Sequence, residues 1–161
     1  MSGFGHTAYT VEEATRRLER YCAYQERCHQ EVVRKLKQMR MIPQAIDAIV
    51  VHLIDNDFLN EERYALAFAR GKFRQKQWGR QRIRRELKAR GIGRYLVDKA
   101  LSGIAEQAYL ETLDALVAKK LREWEGEPPL AMAQKLYRYL IYRGWENELI
   151  QSRLDRVLDR S

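Results

Sequence analysis

The sequence has few of the residues that interrupt helices and none of the long apolar runs that cross membranes. Its 161 residues include three prolines and nine glycines, which argues against a many-turned sandwich or barrel. No apolar run approaches the roughly 20 residues that span a bilayer. The apolar share of 45% is normal for a globular protein, which excludes extensive disorder. We therefore expect a soluble, all-α protein.

Cysteine is also scarce, with only Cys22 and Cys28 present. Six residues apart in one helical pattern, they would lie about 120° out of phase, a poor geometry for a disulfide. No second pair of ligands stands at zinc-site spacing. Residues 1–9 lack the charged start and apolar stretch of a secretory signal. These absences predict reduced thiols, a cytoplasmic location and no bound metal.

The motifs of catalysis and cofactor binding are missing as well. Gly91-Ile92-Gly93 lacks the third glycine of a dinucleotide loop and follows no predicted strand. There is no phosphate-binding loop, no nucleophile elbow and no zinc-protease motif. Asp55 and Asp57 fall in a predicted helix-ending turn, where aspartate normally caps. We predict a protein that is not an enzyme, with no catalytic residues and no cofactor.

What the sequence does contain is a helical pattern that occurs three times. A shift of 51 residues superposes apolar positions of the first copy on the second, and a further 53 superposes the second on the third. Two such series are Val32, Ile83 and Leu136, and Leu36, Leu87 and Leu140. The apolar run 49–51 keeps the helical period of its flanks and is interpreted as helix. Each copy predicts two helices joined by a short turn and preceded by a third helix, at about 11–26, 60–76 and 107–125.

This repeat predicts an elongated tandem array of three three-helix, helix-turn-helix-like units. The predicted organisation is a flexible tail over 1–9, then units over 10–59, 60–106 and 107–161. Gly91 and Gly144 stand where a helix-ending residue adopts the left-handed conformation that suits glycine. Arg40 occupies that position in the first unit, so we expect its turn to be built differently. Units of this kind pack mainly on their neighbours, a shape that suits a large, repetitive partner.

Positive charge is concentrated in one quarter of the chain. The net charge is +8, but residues 70–94 hold eleven basic residues and one acid, Glu86, so the remainder carries −2. Like charges four apart on a helix repel one another. A segment that tolerates this repulsion over 25 residues is expected to bind a polyanion or an acidic protein surface.

The candidate contact residues follow from the helical wheel of this basic segment. With Ile83 and Leu87 on the buried side, most cations of the second helix point outward. Trp78, beside Gly79, fits either a stacking contact with a partner or a packed hinge between two helices. Arg63 and Tyr64 are expected to be structural, and the outer tyrosines of a cluster in the third unit fit either role. The predicted partner- or DNA-binding residues are Arg70, Lys72, Arg74, Lys76, Trp78, Arg80, Arg82, Arg84, Arg85 and Lys88.

The junction of the first two units carries a family resemblance. Four segments carry it: Asp57-Phe58-Leu59-Asn60-Glu61-Glu62-Arg63-Tyr64-Ala65, then Phe68-Ala69-Arg70, then Trp78-Gly79-Arg80-Gln81-Arg82-Ile83, and Glu86-Leu87-Lys88-Ala89-Arg90-Gly91-Ile92. Together with the three-unit pattern over about residues 14–158, they resemble the RecX family of bacterial regulators of the RecA recombinase. The chain departs at Asp57, where the family usually has glycine, and at Arg80, where it often has proline. Asn60 and Glu61 replace paired aspartates.

The resemblance implies a function and a partner. RecX proteins lodge in the groove of RecA filaments on single-stranded DNA and suppress filament growth, ATP hydrolysis, strand exchange and cleavage of the SOS repressor. We therefore expect a cytoplasmic, monomeric regulator of DNA repair whose partners are the RecA filament and single-stranded DNA. A stand-alone helix-turn-helix-type DNA-binding protein, reading duplex DNA with the helix near residues 80–90, is the alternative. A helical scaffold that binds RNA by charge is a third possibility.

Overall fold

The computed structural model describes residues 8–159, within which lie nine α-helices and no β-strand. The helices are α1 (Val11–Tyr24), α2 (His29–Gln38), α3 (Pro43–Asp55), α4 (Glu61–Lys76), α5 (Arg80–Ala89), α6 (Arg94–Ser102), α7 (Glu106–Glu123), α8 (Pro129–Arg143) and α9 (Asn147–Asp159). The prediction of an all-α fold is confirmed. Of the predicted flexible tail, residues 1–7 lie outside the described residues.

The helices pack in three successive groups. The most extensive contacts join α1 and α2 to α3, then α4, α5 and α6 to one another, and α8 to α7 and α9. This arrangement confirms the tandem array of three-helix units, here called units 1, 2 and 3. The residue boundaries between the units stay those proposed from the sequence.

Several helix starts follow directly from local sequence. The Thr10 hydroxyl accepts a hydrogen bond from the Glu13 N–H at 3.0 Å, and the Glu13 carboxylate accepts one from the Thr10 N–H at 2.9 Å. This reciprocal pair satisfies two N–H groups that a helix start leaves without partners. Pro43 and Pro129 are the first residues of α3 and α8, where a missing N–H costs nothing. Val50 lies within α3, which confirms the helical interpretation of the run 49–51.

All three units use the same turn between their second and third helices. Gly91 and Gly144 have φ of 79° and 92°, as predicted, and Arg40 has φ of 63°. In unit 1 the Met41 N–H donates to the Leu36 carbonyl at 3.1 Å, as the equivalent residues do in units 2 and 3. The expectation of a different turn in unit 1 is therefore wrong. An arginine accepts the left-handed conformation at a cost of about 1–2 kcal/mol.

Within residues 8–159, the buried side chains form two cores rather than one for each unit. Unit 1 has its own core, built around Leu18, Val32 and Leu53. Units 2 and 3 share a second core, and the Cys28 side chain of unit 1 is also buried in it. Both cysteines are buried free thiols, as expected. Burial raises the pKa of the Cys22 thiol to about 11.

The two junctions between units repeat one arrangement. The second helix of a unit begins with an N–H that donates to the first helix of the next unit. The His29 N–H donates to the Glu61 carboxylate at 3.1 Å, and the Arg80 N–H donates to the Tyr109 hydroxyl at 2.8 Å. Residues 29 and 80 are equivalent under the 51-residue shift, so each unit completes the helix cap of the unit before it.

The junction of units 2 and 3 also brings two backbones into contact. The Gly79 N–H donates to the Arg143 carbonyl at 2.8 Å, and the Gln81 N–H donates to the Gly144 carbonyl at 2.9 Å. The Trp145 indole N–H donates to the Gln77 carbonyl at 3.1 Å. A Cβ on Gly79 would lie 2.5 Å from the Gly144 carbonyl carbon, so only glycine fits there.

At the junction of units 1 and 2, Arg63 bridges both units. Its Nε lies 2.5 Å from a Glu26 carboxylate oxygen, and its Nη1 lies 3.2 Å from an Asp57 oxygen. The hydrogen bond that Arg63 donates to Glu26 raises the pKa of Arg63 above its usual value. Arg63 thus has the structural role expected of it, and the nearby Glu61 accepts from the His29 N–H. Tyr64 is buried, as predicted.

Candidate nucleic-acid interface

The basic segment occupies the end of α4, all of α5 and the turn between them. The α4 helix ends because Gln77 adopts the left-handed conformation, with φ of 51°. After Trp78 and Gly79, α5 begins and buries Ile83 and Leu87 on its inner side, as the helical wheel predicts. Apart from Ala89, the remaining positions of α5 are polar, so its outer side is covered mainly by cationic side chains.

Five of the ten predicted contact residues are exposed and have no ion pair within the described part of the chain. On α5 these are Arg85 and Lys88, and on α4 they are Arg70, Arg74 and Lys76. We call these five side chains the outward cations. With no carboxylate within 4 Å, their charge is screened mainly by solvent and salt. They are therefore available to a polyanion.

Beside the outward cations, aromatic rings and cations alternate across the junction of units 2 and 3. The Lys72 ammonium lies 5.1 Å from the centre of the Trp78 ring, and the Arg82 guanidinium lies 4.2 Å from it on the α5 side. Arg82 also lies 4.8 Å from the Tyr142 ring. Such contacts hold the cations in place. We call Lys72, Trp78, Arg82 and Tyr142 the ring–cation ladder.

Trp78 packs as a hinge residue between two helices, and its contact with a partner stays a prediction. It is half-buried, packs against the shared core and makes an edge contact with Phe68 at 6.2 Å between ring centres. It is also partly exposed, and its ring contacts Lys72 and Arg82 in the ring–cation ladder. Tyr142 is 70% exposed, which leaves most of its ring free to stack. A base can stack on such a ring whatever its identity, because every base has a π-face.

Arg80 points inward, unlike the outward cations. Its guanidinium pairs with Glu146 at 2.8 Å and with Glu106, and it lies 3.7 Å from the centre of the Tyr109 ring. Burial opposes the charged form of Arg80, but the hydrogen bonds that it donates to both glutamates outweigh this effect and raise the pKa of Arg80. Tyr109 in turn donates its hydroxyl hydrogen to Glu146. Arg80 thus ties unit 2 to unit 3.

Arg84 is also paired within the protein. Its Nη1 lies 2.6 Å from an Asp98 oxygen on α6, although both side chains are more than a third exposed. An exposed pair of this kind is weak, at about 0.2–1 kcal/mol. It can be exchanged for a partner's anion at little cost, whereas the Arg80 pairs cannot.

Sequence reasoning missed one member of the site and three acids that neutralise part of it. Tyr142 belonged to an aromatic cluster whose role was left open, and only its contact with Arg82 places it beside Trp78. Asp98, Glu106 and Glu146 all lie outside the basic segment. Their pairing with α5 depends on how α6, α7 and α9 pack, which no local pattern in residues 70–94 reveals.

Neither a metal-binding cluster nor a membrane-spanning helix is found among the described residues. No three His, Cys, Asp or Glu side chains within residues 8–159 are grouped as a metal site requires. None of the helices in that range has the length and apolar character needed to cross a bilayer. What the surface can do is bind anionic groups through the outward cations and stack planar groups on the ladder.

Comparison with known proteins identifies relatives of both later units. Residues 60–101 match the family model of the RecX second three-helix domain, and residues 107–154 match that of the RecX third three-helix domain. The Regulatory protein RecX of Bacillus cytotoxicus is 26% identical over 147 residues, which are 91% of this chain and 54% of that protein. That of Limosilactobacillus reuteri is 25% identical over 152 residues, 94% of this chain and 58% of that protein. The chain therefore spans about half the length of these curated relatives.

Solved structures share the fold. The crystal structure of RecX from Lactobacillus salivarius superposes with a TM-score of 0.81 at 22% identity, covering 91% of this chain and 96% of that chain. A second crystal structure, of a regulatory protein RecX, gives a TM-score of 0.80 at 24% identity, covering 90% of this chain and 73% of that chain. At these identities the superpositions establish the architecture.

Proposed function

Since this chain belongs to the RecX family, we propose that it regulates the RecA recombinase by binding RecA filaments on single-stranded DNA. In this proposal it inhibits or modulates RecA ATP hydrolysis, strand exchange and cleavage of the SOS repressor, and thereby regulates DNA repair. It acts in the cytoplasm as a monomer and performs no chemistry of its own. The family, the tandem fold and the basic surface of unit 2 support this reading.

The observation that carries the proposal is the position of the outward cations. Unit 2, residues 60–106, has 13 basic and five acidic residues, whereas units 1 and 3 have equal numbers of each. The excess charge thus belongs to the middle unit, with the ring–cation ladder beside it. A filament groove that contains single-stranded DNA offers both phosphates and unstacked bases. Cations paired with phosphates release counterions, and rings stack on bases.

The fold also supplies a reason for inhibition. Units 2 and 3 share one core and are locked by the Arg80 pairs and by the contact between Gly79 and Gly144. A body held in this way resists bending when it lies against a partner. A rigid body bound across several subunits of a filament would oppose movements of those subunits relative to one another.

The first experiment is the single-strand-DNA-dependent ATPase of RecA from the same organism, with this protein titrated in. We expect loss of activity well below one protein per RecA, because one bound molecule would block extension of a whole filament. No loss at saturation, with binding to DNA alone retained, would contradict the proposal. The stand-alone DNA-binding alternative would then be preferred.

A charge-reversal variant tests the site itself. Arg85→Glu with Lys88→Glu should raise the half-inhibitory concentration by about 30-fold or more, since two contacts of roughly 1 kcal/mol each are lost. The matched control is Arg16→Glu with Arg20→Glu, two exposed positions on α1 with the same change in charge. Equal effects of the two variants would remove the outward cations from the mechanism. Far-UV circular dichroism checks that both variants keep their helices.

Salt dependence separates phosphate contacts from protein contacts. If the outward cations bind phosphates, the affinity for the filament should fall steeply with salt. The slope of the logarithm of the binding constant against the logarithm of the salt concentration should be about −0.7 for each phosphate contact with a single strand. The Arg85→Glu and Lys88→Glu variant should show a correspondingly shallower slope. A flat response in the unmodified protein would point to protein contacts alone.

A further inference from the structure

The three units share two surface residues that their packing does not require. The second helix, turn and third helix of each unit align over residues 28–53, 79–104 and 132–157 without a gap. Only three of these 26 aligned positions hold the same residue in all three units. They are Leu36, Leu87 and Leu140; Gln30, Gln81 and Gln134; and Arg34, Arg85 and Arg138.

The shared leucine has a structural explanation. All three copies are 0% exposed, and a buried leucine at the centre of each unit is maintained by packing. The shared glutamine and arginine are exposed in every unit. Within the described residues, none of these six side chains makes a hydrogen bond or an ion pair. The amide of Gln30 lies beside the turn at Gly91 and is still exposed.

Helix propensity does not account for the repetition either. Glutamine and arginine are good helix formers, but so are lysine, glutamate and alanine. Exposed positions of the same helices have diverged freely. Lys37, Lys88 and Ile141 are equivalent to one another, and so are Gln38, Ala89 and Tyr142. Because the neighbours diverge, the persistence of both Gln and Arg indicates a role outside the fold.

The two residues form a compact recognition unit on each helix. Residues four apart lie on the same face of a helix, so Gln and Arg project side by side. The arginine fork matches the two oxygens of a carboxylate, and the glutamine amide both donates and accepts. Each unit therefore offers the same chemistry once, and a partner that uses all three copies must present the complementary group repeatedly.

We propose that the Gln–Arg pairs of the three units bind acidic side chains on successive protein subunits of one filament. In unit 2 this assigns Arg85 to a protein carboxylate and leaves the other four outward cations to the phosphates. The proposal rests on the proposed function and names the surface that reads the protein part of the filament. Charge favours protein over nucleic acid as the ligand of all three pairs. A phosphate chain gripped equally by every unit would favour a basic excess in each, whereas units 1 and 3 carry none.

The test uses single substitutions at the three arginines. Arg34→Ala, Arg85→Ala and Arg138→Ala are compared with Arg20→Ala and Arg122→Ala, which remove exposed arginines outside the pattern. Binding of each labelled variant to RecA filaments on single-stranded DNA, with a non-hydrolysable ATP analogue, is measured by fluorescence anisotropy. We expect each substitution in the pattern to weaken binding by a similar factor of about 5. The triple variant should weaken it by about 100-fold, since distant sites act additively. The controls should change binding by less than about twofold.

Any one of four outcomes would overturn the inference. An effect confined to Arg85→Ala would assign it to the basic surface of unit 2 alone. Equal losses on single-stranded DNA without RecA would make the ligand a nucleic acid. Failure of the unmodified protein to bind filaments would overturn both this inference and the proposed function, whereas normal binding by the Arg34 and Arg138 variants would overturn this inference only. Circular dichroism, unchanged in all variants, excludes unfolding as the cause of any loss.

Discussion

The contact between Gly79 and Gly144 allows a sharp test of how units 2 and 3 are joined. The change is Gly79→Ala, which adds one methyl group. Gly79 has φ of −80° and ψ of 170°, a conformation open to any residue, so the backbone itself does not resist alanine. The obstacle is space. The new Cβ would lie 2.5 Å from the Gly144 carbonyl carbon and 2.6 Å from the Trp145 Cα, and closer still to the Gly144 carbonyl oxygen.

The magnitude follows from what those neighbours are. All three are backbone atoms, which cannot move aside as a flexible side chain can. Overpacking typically costs about 1–3 kcal/mol, and we expect about 3 kcal/mol because the junction must open to admit the methyl group. A protein of this size has a urea m-value of roughly 2 kcal/mol per molar, so the unfolding midpoint should fall by about 1.5 M.

Gly93→Ala is the matched control. Gly93 also precedes a helix, with φ of −69° and ψ of 156°, and a Cβ there would meet nothing within 4 Å. Both substitutions change a helix cap in the same way, so the difference between them isolates the clash. Urea unfolding followed by far-UV circular dichroism gives both midpoints. Equal midpoints, within about 0.3 M, would refute the claim that this close approach exists in solution.

Three further predictions test other features. Arg80→Ala should lower the free energy of unfolding by about 2–3 kcal/mol, because it leaves the half-buried Glu146 without a cation. Arg84→Ala should lower it by about 1 kcal/mol or less. Equal losses for the two variants in urea unfolding would count against the inward role of Arg80. Tyr142→Ala should weaken filament binding about 5- to 10-fold without loss of stability. Tyr95→Ala, which removes a tyrosine of similar exposure on α6, should leave filament binding unchanged. Equal affinities of the two variants for the filament would exclude Tyr142 from the interface. Burial raises the folded-state pKa of Cys22 from 9.0 to about 11, so the contribution of this thiol to stability should be complete below pH 9 and be lost as pH rises towards 11. Urea unfolding at pH 8 and pH 10.5 measures the loss of stability. If a Cys22→Ala variant lost as much stability between these two pH values, the loss would belong to other groups.

The helical spacing of apolar residues predicted the helices and their buried positions, because both depend on residues three or four positions away in the sequence. The periodicity around Ile83 and Leu87 defines α5 and its inner side, and both residues are 0% exposed. The repeat likewise predicted three units from the sequence alone. Side-chain direction at the edge of that pattern was harder to predict. Arg80 falls near the edge of the apolar stripe, and only the packing of unit 3 against unit 2 turns it inward.

Two departures from the family resemblance acquire a physical reason in the structure. Asp57 stands where the family usually has glycine, and its φ is 61°. This is the left-handed region, which aspartate enters more easily than most residues. Arg80 stands where proline is common, yet its N–H donates to the Tyr109 hydroxyl. Proline has no N–H, so a chain with proline there must cap that junction differently. Neither consequence could be read from sequence, because both depend on a residue's backbone state or on a distant partner.

The pairing of Gly79 with Gly144 also limits how this chain can change over time. At most tight contacts, an enlargement on one side can be rescued by trimming the residue opposite. Here neither residue has a side chain to trim, and Gly144 has φ of 92°, which penalises any replacement. A Cβ on Gly79 would meet only backbone atoms, and a Cβ on Gly144 would meet the N and Cα of Arg82 as well as its Cβ, so trimming a side chain cannot make room at either glycine. Lineages that keep this junction must keep both glycines, and those that lose one must join the two units in another way.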